Sequence, residues 1–538
     1  MKSRVLVTDK LDKAGLAILE QASEVDYKPG MSADELRACI KDYDALLVRS
    51  QTQATREIIE AAGRLKIIGR AGVGVDNIDV EAATERGIIV VNSPEGNTVA
   101  AAEHTVALMM ALCRQIAAAD RSCREAKWER AKFVGTELKG NTLGVVGLGK
   151  IGQRVCKVAN ALGMRVIGFD PFVSKEKAET INVTKVELEE IYTKSDFITL
   201  HVPKTKETFN MINKDTIKRM KDGVRIVNCA RGGLINEADL AEAIKSGKVA
   251  GAAIDVFAEE PCTDSPLHHC GDKVLLTPHL GASTEQAQLN VALDVAEQVR
   301  DVLSGGVARA AVNLPGLKPD LVMHVKHYLG LAEHMGAIVA QLADGCIQEI
   351  EIEALGELAS KNIEALKLVA LRGLLSVNLD GVTFVNAPLI AKERGIHVSE
   401  LKSEDAGDYV DKLRIRLKTE KGKHTIAGTI IQGAAKDDGQ IGIPSIIQID
   451  RYPVNIRPDN HSIVTFHSDK PGMVAQISKI LWDANINISS LNLGRTQDDA
   501  AAVMVINVDD PVSDAVLSKI EAVNGITTAK YIRLKGKI

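Results

Sequence analysis

Residues 143–281 carry six short apolar runs, LGVVGLG, RVIGFDP, DFITLHVP, VRIVNCARGG, VAGAAIDVF and KVLLTPHLG, each followed by helical pattern or turn residues. Strands joined through helices run parallel, and a parallel sheet needs cover on both faces. The spacing therefore predicts a complete doubly wound α/β domain. The first 95 residues repeat the theme in RVLVTD, DALLVRS, LKIIGRAG and GIIVVNSP, with ADELRACI and REIIEAA between them. A second parallel sheet is expected there. Between the two series lies VAAAEHTVALMMALCRQIAAAD, a helix expected to be capped at Asn97 or Thr98 and largely buried.

After LPGLKP (314–319) the texture changes. A helical run, HVKHYLGLAEHMGAIVAQLADG, leads into CIQEIEIEAL, whose period-two alternation predicts a sheet with one wet face. From about residue 461 the order strand, helix, strand, strand, helix, strand predicts a compact βαββαβ unit. Four units follow: 1–98 completed by 286–315, then 99–285, 316–452 and 453–538.

Apolar content of 45% and charged content of 25% suit a soluble globular chain, and a net charge of −5 gives no general attraction to nucleic acid or an anionic membrane. No uncharged run nears the roughly 18 residues of a membrane helix. MKSRVLVTDK reaches Asp9 before any apolar stretch of signal-peptide length. Eight cysteines without a C-x-x-C pair predict reduced thiols and a cytoplasmic setting. No metal site is expected, since His268-His269-Cys270 lacks a further ligand at coordinating spacing.

The chemistry concentrates at predicted strand ends. Gly147, Gly149 and Gly152 form G-x-G-x-x-G between a strand and a helix, the pattern that admits a pyrophosphate to backbone amides. Asp170 ends the next strand, 18 residues after Gly152, where an acid bonds a ribose hydroxyl and repels a 2′-phosphate. NAD is favoured over NADP. Arg231 follows the strand VRIV, while Asn236 is explained as a helix cap. Glu260 and His279 end the next two segments on the same edge, as Arg49 and Arg70 do in the first series.

In that order, GLGKIG, NCARGG, DVFAEEP and PHLGAST resemble the D-2-hydroxyacid dehydrogenases over roughly residues 1–315. The resemblance implies two Rossmann/flavodoxin-like domains and a catalytic set of Arg231, Glu260 and His279. It implies NAD contacts at Gly147, Gly149, Lys150, Ile151, Gly152, Asp170, Cys229, Ala230, Arg231, Asp255, His279, Gly281 and Ala282. For substrate it implies Arg49, Ser50, Arg70, Gly72, Val73, Gly74 and Arg231, although Val73 and Val202 stand where some relatives carry threonine. HSDKPGMVAQISKILWDANINISSL resembles an ACT domain, which implies an effector site at His467, Asp469 and Asn487 between paired modules. The segment with VNAPLIAKERGI resembles the α/β intervening domain of long-form family members that act on 3-phosphoglycerate. Together these imply oxidation of 3-phosphoglycerate, L-serine as effector and a dimeric or tetrameric homo-oligomer. Two other readings share the fold: a reductase of another small 2-oxo acid, and a non-catalytic NAD sensor.

Overall fold

The computed structural model describes residues 2–317, 319–431, 442–496 and 500–534. Its first sheet has five parallel strands, β1 (Ser3–Val7), β2 (Ser23–Tyr27), β3 (Ala45–Val48), β4 (Ile67–Arg70) and β5 (Ile89–Val91), in the order β2-β1-β3-β4-β5. Helix α1 (Lys13–Ala22) crosses from β1 to β2. The order reverses between β1 and β3, and open α/β sheets bind ligands at the strand C-termini beside such a reversal. Arg49 follows β3 there and Arg70 closes β4. Strand β2 is not announced by the pattern. Its sequence SEVDY sits half-exposed on the sheet edge, where Glu24 and Asp26 are tolerated and blur the apolar period.

The run after Asn97 corrects the helical expectation. It breaks at Gln115, whose φ of 51° separates α2 (Thr98–Cys113) from α3 (Ile116–Arg124). Neither proposed cap forms by side chain: Asn97 Oδ1 and Thr98 Oγ1 are buried without a partner among the described residues. Burial is one-sided too, since Ala102 and Met109 are enclosed while Val99 and Met110 remain 44% and 45% exposed.

Seven parallel strands form the second sheet: β6 (Thr142–Val146), β7 (Arg165–Phe169), β8 (Thr184–Lys185), β9 (Phe197–Leu200), β10 (Val224–Asn228), β11 (Val249–Ile254) and β12 (Val274–Leu276). They lie in the order β12-β11-β10-β9-β6-β7-β8, the six expected strands plus the short edge strand β8. The reversal between β6 and β9 brings the loop after β6, and α4 (Lys150–Ala161) beyond it, beside His201. Helix α5 (Glu285–Leu303), capped by Thr284, then returns to the first sheet. A Cβ on Gly69 of β4 would lie 2.7 Å from Val295 Cγ1, so helix and sheet meet at closest approach there.

The third sheet has the order β14-β13-β15-β16-β17-β18, with β13 (Ile347–Gly356), β14 (His397–Ser403), β15 (Asp411–Thr419), β16 (Lys423–Ile431), β17 (Ile443–Ile449) and β18 (Tyr452–Ile456). The wet face predicted for β13 is a ladder of ion pairs. Glu353 is only 8% exposed and meets Arg414 at 2.6 Å and Arg416 at 3.1 Å, and Arg416 also meets Glu351. Helices α6 (Lys326–Leu342) and α7 (Glu364–Leu375) cross over this core at paired glycines. The last sheet, β20-β21-β19-β22, is antiparallel: β19 (His461–Ser468), β20 (Ile488–Arg495), β21 (Ala501–Val508) and β22 (Ile526–Arg533). Helices α8 (Met473–Asp483) and α9 (Asp514–Glu521) complete the βαββαβ unit. Gln341 of α6 docks its edge, accepting from Arg533 N–H at 2.9 Å and donating to Arg533 O at 3.1 Å. No helix among the described residues is long and apolar enough to cross a membrane.

A Cβ on Gly336 would lie 2.1 Å from Ala370 O, and one on Gly373 would lie 2.1 Å from Glu333 O. Alanine gains up to about 1 kcal/mol of helix propensity over glycine, but overpacking against backbone costs about 1–3 kcal/mol. Gly336→Ala should therefore lower the stability of this unit. Thermal unfolding with an unchanged or raised midpoint would contradict the crossing geometry.

Candidate active site

On the dinucleotide side, Gly147 holds a φ of 95°, and a Cβ there would strike the His201 carbonyl oxygen at 2.4 Å. A Cβ on Gly152 would lie 2.1 Å from Gly147 O, so only glycine lets α4 start this close to β6. Gly149 has nothing within 4 Å of its Cβ position. That open space adjoins the first turn of α4, whose unpaired amides suit an anion. Asp170 follows β7, accepting Leu148 N–H at 2.9 Å and Phe172 N–H at 2.8 Å. It therefore fixes the glycine loop and stands beside it. Ile151 packs partly into the core, while exposed Lys150 pairs with Glu95 at the end of the first α/β series.

The loop after β12 presents His279 in the left-handed region, at φ 54°. A non-glycine residue pays for that conformation, and such outliers gather at functional sites. His279 Nδ1 lies 2.6 Å from Glu260 Oε2, and the other carboxylate oxygen accepts Phe257 N–H at 3.0 Å. Burial alone would raise the Glu260 pKa, but the His279 and Phe257 bonds win and hold it below the usual carboxylate range. Asp255, fully buried at the end of β11, accepts from Thr277 Oγ1 at 2.6 Å, Leu280 N–H at 2.8 Å and Gly281 N–H at 2.9 Å. His104 Nε2 adds a fourth contact at 3.1 Å. Here too burial raises the pKa and the hydrogen bonds, led by His104 and Thr277, bring it below normal.

Arg231 reaches the same space from the loop after β10. Asn228, 2% exposed, pins that loop through Ala230 N–H and Arg231 O. A Cβ on Gly232 would lie 1.6 Å from Phe257 O, so the Arg231 and Glu260 loops pack backbone to backbone. The guanidinium of Arg231 lies against Gly74, where a Cβ would meet Nη2 at 2.3 Å, and its Nε lies 3.3 Å from Asp76 Oδ2. Gly72 is likewise filled by Arg70, with Nη1 1.9 Å from its Cβ position. The Arg70 guanidinium is pushed down to about 10, first by burial and then by the charges of Arg231 and Arg49, with Asp76 and Asp9 opposing. Three arginines crowding one space favour a multiply charged anion. Ser50 is exposed beside Arg49, and Val73 O accepts from Asn92 Nδ2 at 2.5 Å.

Residues 106–281 match the NAD binding domain of the D-isomer specific 2-hydroxyacid dehydrogenases, residues 324–438 the D-3-phosphoglycerate dehydrogenase intervening domain, and residues 461–525 the ACT domain. D-3-phosphoglycerate dehydrogenase of Synechocystis sp. is 48% identical over 534 residues, covering 99% of this chain and 95% of the relative. The chain belongs to the D-3-phosphoglycerate dehydrogenase family. The Methanocaldococcus jannaschii member is 44% identical, covering 99% of this chain and 100% of the relative. Among solved structures, a glyoxylate reductase from Paecilomyes thermophila aligns with 58% of this chain and 98% of its own (TM-score 0.55, 29% identity). A D-lactate dehydrogenase from Aquifex aeolicus, complexed with NAD and lactic acid, aligns with 56% and 96% (TM-score 0.51, 29% identity).

Within this member of the D-3-phosphoglycerate dehydrogenase family, the structure gathers the residues around Arg231, Glu260 and His279 but does not gather the three effector candidates. His467, 2% exposed, pairs with Ala502 across the sheet and leaves Nε2 buried without a partner among the described residues. Asp469 follows it, 3.4 Å from Arg495. Asn487 donates to Asp509 at 2.6 Å and precedes Ile488, which pairs with Val508. Six residues along β21 separate the two levels, roughly 20 Å. Two supporting residues escape motif reading. Asp9, 2% exposed, accepts from the Arg49, Gln51 and Thr52 amides, and His104 reaches Asp255 from α2. Both act on partners at least 40 positions away, beyond any local pattern.

A carboxyl held below its unfolded pKa of about 4 contributes stability that is complete above that value and drains away as pH falls through the lower native value. The stability gap between wild type and Asp255→Asn should be widest near neutrality and close below about pH 4. Denaturant titrations at a series of pH values check this, and parallel curves would count against a depressed Asp255.

Proposed function

We propose that the chain oxidises 3-phospho-D-glycerate to 3-phosphohydroxypyruvate with NAD, the entry step to L-serine, and that it works as a serine-sensitive homo-oligomer. The observation that carries this reading is the His279–Glu260 pair on loops packed, through Phe257 and Gly232, against the loop of Arg231, whose guanidinium lies against Gly74 of the Arg70–Gly74 loop in the first sheet. A substrate with both a carboxylate and a phosphate needs several cations, and Arg70 feels the charges of both Arg231 and Arg49.

The residues fit the cofactor: the open space at Gly149, the glycine-only turn at Gly147 and the acid at Asp170 match a dinucleotide with a free ribose 2′-hydroxyl. Gly147, Gly149, Lys150, Ile151, Gly152 and Asp170 would hold its pyrophosphate and adenosine ribose. Cys229, Ala230, Arg231, Asp255, His279, Gly281 and Ala282 would line the nicotinamide. When bound, NAD supplies the hydride acceptor. His279 takes the substrate hydroxyl proton on Nε2, because Nδ1 is committed to Glu260. Glu260 keeps the imidazole in that tautomer and stabilises the imidazolium once it forms. Arg231 holds the C1 carboxylate and polarises the developing carbonyl, the Arg70–Gly74 loop adds backbone amides, and Arg49 and Arg70 complete the charge.

For the effector, the separation of Asn487 from His467 and Asp469 supports a site built from two chains. A neighbouring module running antiparallel would lay its Asn487 end beside the His467 end of the first. L-Serine, a zwitterion, would bridge the acid, amide and imidazole there.

The deciding assay follows NADH absorbance with 3-phosphohydroxypyruvate, with and without L-serine. Rapid consumption that serine slows is the expected result. Turnover confined to unphosphorylated 2-oxo acids would overturn the substrate, and full indifference to serine would overturn the effector site.

A further inference from the structure

We propose that His104 is a positioning residue for the proton-transfer step: it fixes the buried Asp255 carboxylate, and Asp255 fixes the loop that carries His279. The proposal rests on the dehydrogenase reading above.

Asp255 is where the His279 loop is tied down. Its side chain binds Thr277 Oγ1, Leu280 N–H and Gly281 N–H, and its carbonyl accepts His279 N–H at 2.9 Å. Those donors lie on either side of His279 and hold it at a positive φ that an L-residue leaves when unsupported. The Thr277 hydroxyl and the Leu280 and Gly281 amides all belong to the loop being held, so they would travel with it if the carboxylate turned. His104 is the exception. It stands on α2, outside that loop, and its side chain is only 19% exposed.

The tautomer follows from the neighbours. Thr277 Oγ1 gives its hydrogen to Asp255 and faces His104 Nε2 with lone pairs at 3.4 Å, while Asp255 Oδ1 lies 3.1 Å from the same nitrogen. Both partners are acceptors, so Nε2 carries the proton and donates it between them. The hydrogen bonds already account for this cluster without an ion. The ligand atoms of His104, Cys229 and Asp255 lie within 4.8 Å of one another, but burial pushes the Cys229 thiol up to about 12. Asp255 Oδ1 already meets three donors, His104, Thr277 and Leu280, and Oδ2 accepts Gly281 N–H.

His104→Leu keeps the bulk and removes the donor, whereas His104→Gln returns an N–H at similar reach. With 3-phosphohydroxypyruvate and NADH, His104→Leu should lower kcat by roughly 10- to 100-fold, the range that follows from misplacing a reacting group by about an ångström. KM should stay within about twofold, and His104→Gln should recover most of the loss. Amide hydrogen exchange at Leu280 and Gly281 should quicken in the leucine variant and not in the glutamine one. A His104→Leu enzyme with kcat within twofold of wild type and unchanged exchange overturns the proposal. So does an equal loss in both variants with a matching fall in melting temperature, which would make His104 a packing residue. If the wild type itself fails to turn over, the dehydrogenase reading falls, and the exchange data still decide whether His104 holds the loop.

Discussion

Asp255 is a carboxylate with no solvent exposure, and a buried charge persists only when its lone pairs are filled. Filling them is what shapes the site. Thr277, Leu280 and Gly281 must converge on one point, and the backbone between them has to pass through the left-handed conformation at His279. That turn delivers the imidazole to Glu260, which is itself anchored at Phe257 N–H. The same Phe257 turn presses its carbonyl against Gly232 and so places the Arg231 loop. One desolvated carboxylate thus sets the His279 loop, and the Phe257 turn near it in sequence sets Glu260 and the Arg231 loop.

The cationic half of the site follows a different rule. Arg70 and Arg231 occupy the volumes that side chains at Gly72 and Gly74 would need, so the glycines of RAGVG are required by the arginines as much as by the backbone. Burial first, then repulsion from Arg231 and Arg49, holds Arg70 at a depressed pKa, and a dianion placed here would relieve both. The arginines come from the first sheet and from the second, so the substrate we propose for this place would bridge two α/β units across their strand C-termini.

Much of this was legible in the amino-acid order. Strand ends, the glycine loop, Asp170, Arg231, Glu260 and His279 are local signals, because each is a short motif at the close of an apolar run. Features that failed to show depend on distant partners or weak patterning. Strand β2 carries two acids in five residues, and the break at Gln115 has no glycine or proline to announce it. Asn97 and Thr98 look like caps in sequence, yet tertiary packing buries both without a bond. The glutamates of β13 read as a solvated face, and only the pairing of β13 with β15 brings Arg414 and Arg416 opposite them. His104 lies 151 positions from Asp255 inside an apolar helix, where nothing local separates it from a core histidine.

The proposed chemistry depends on the His279–Glu260 pair carrying the proton. Steady-state kinetics of Glu260→Gln with 3-phosphohydroxypyruvate and NADH test this most directly, because glutamine keeps the shape and removes the charge. Glu260→Gln should lower kcat by about 10²-fold or more, as when an orienting carboxylate behind a catalytic histidine is made an amide, with KM nearly unchanged. A kcat within twofold of wild type would contradict it.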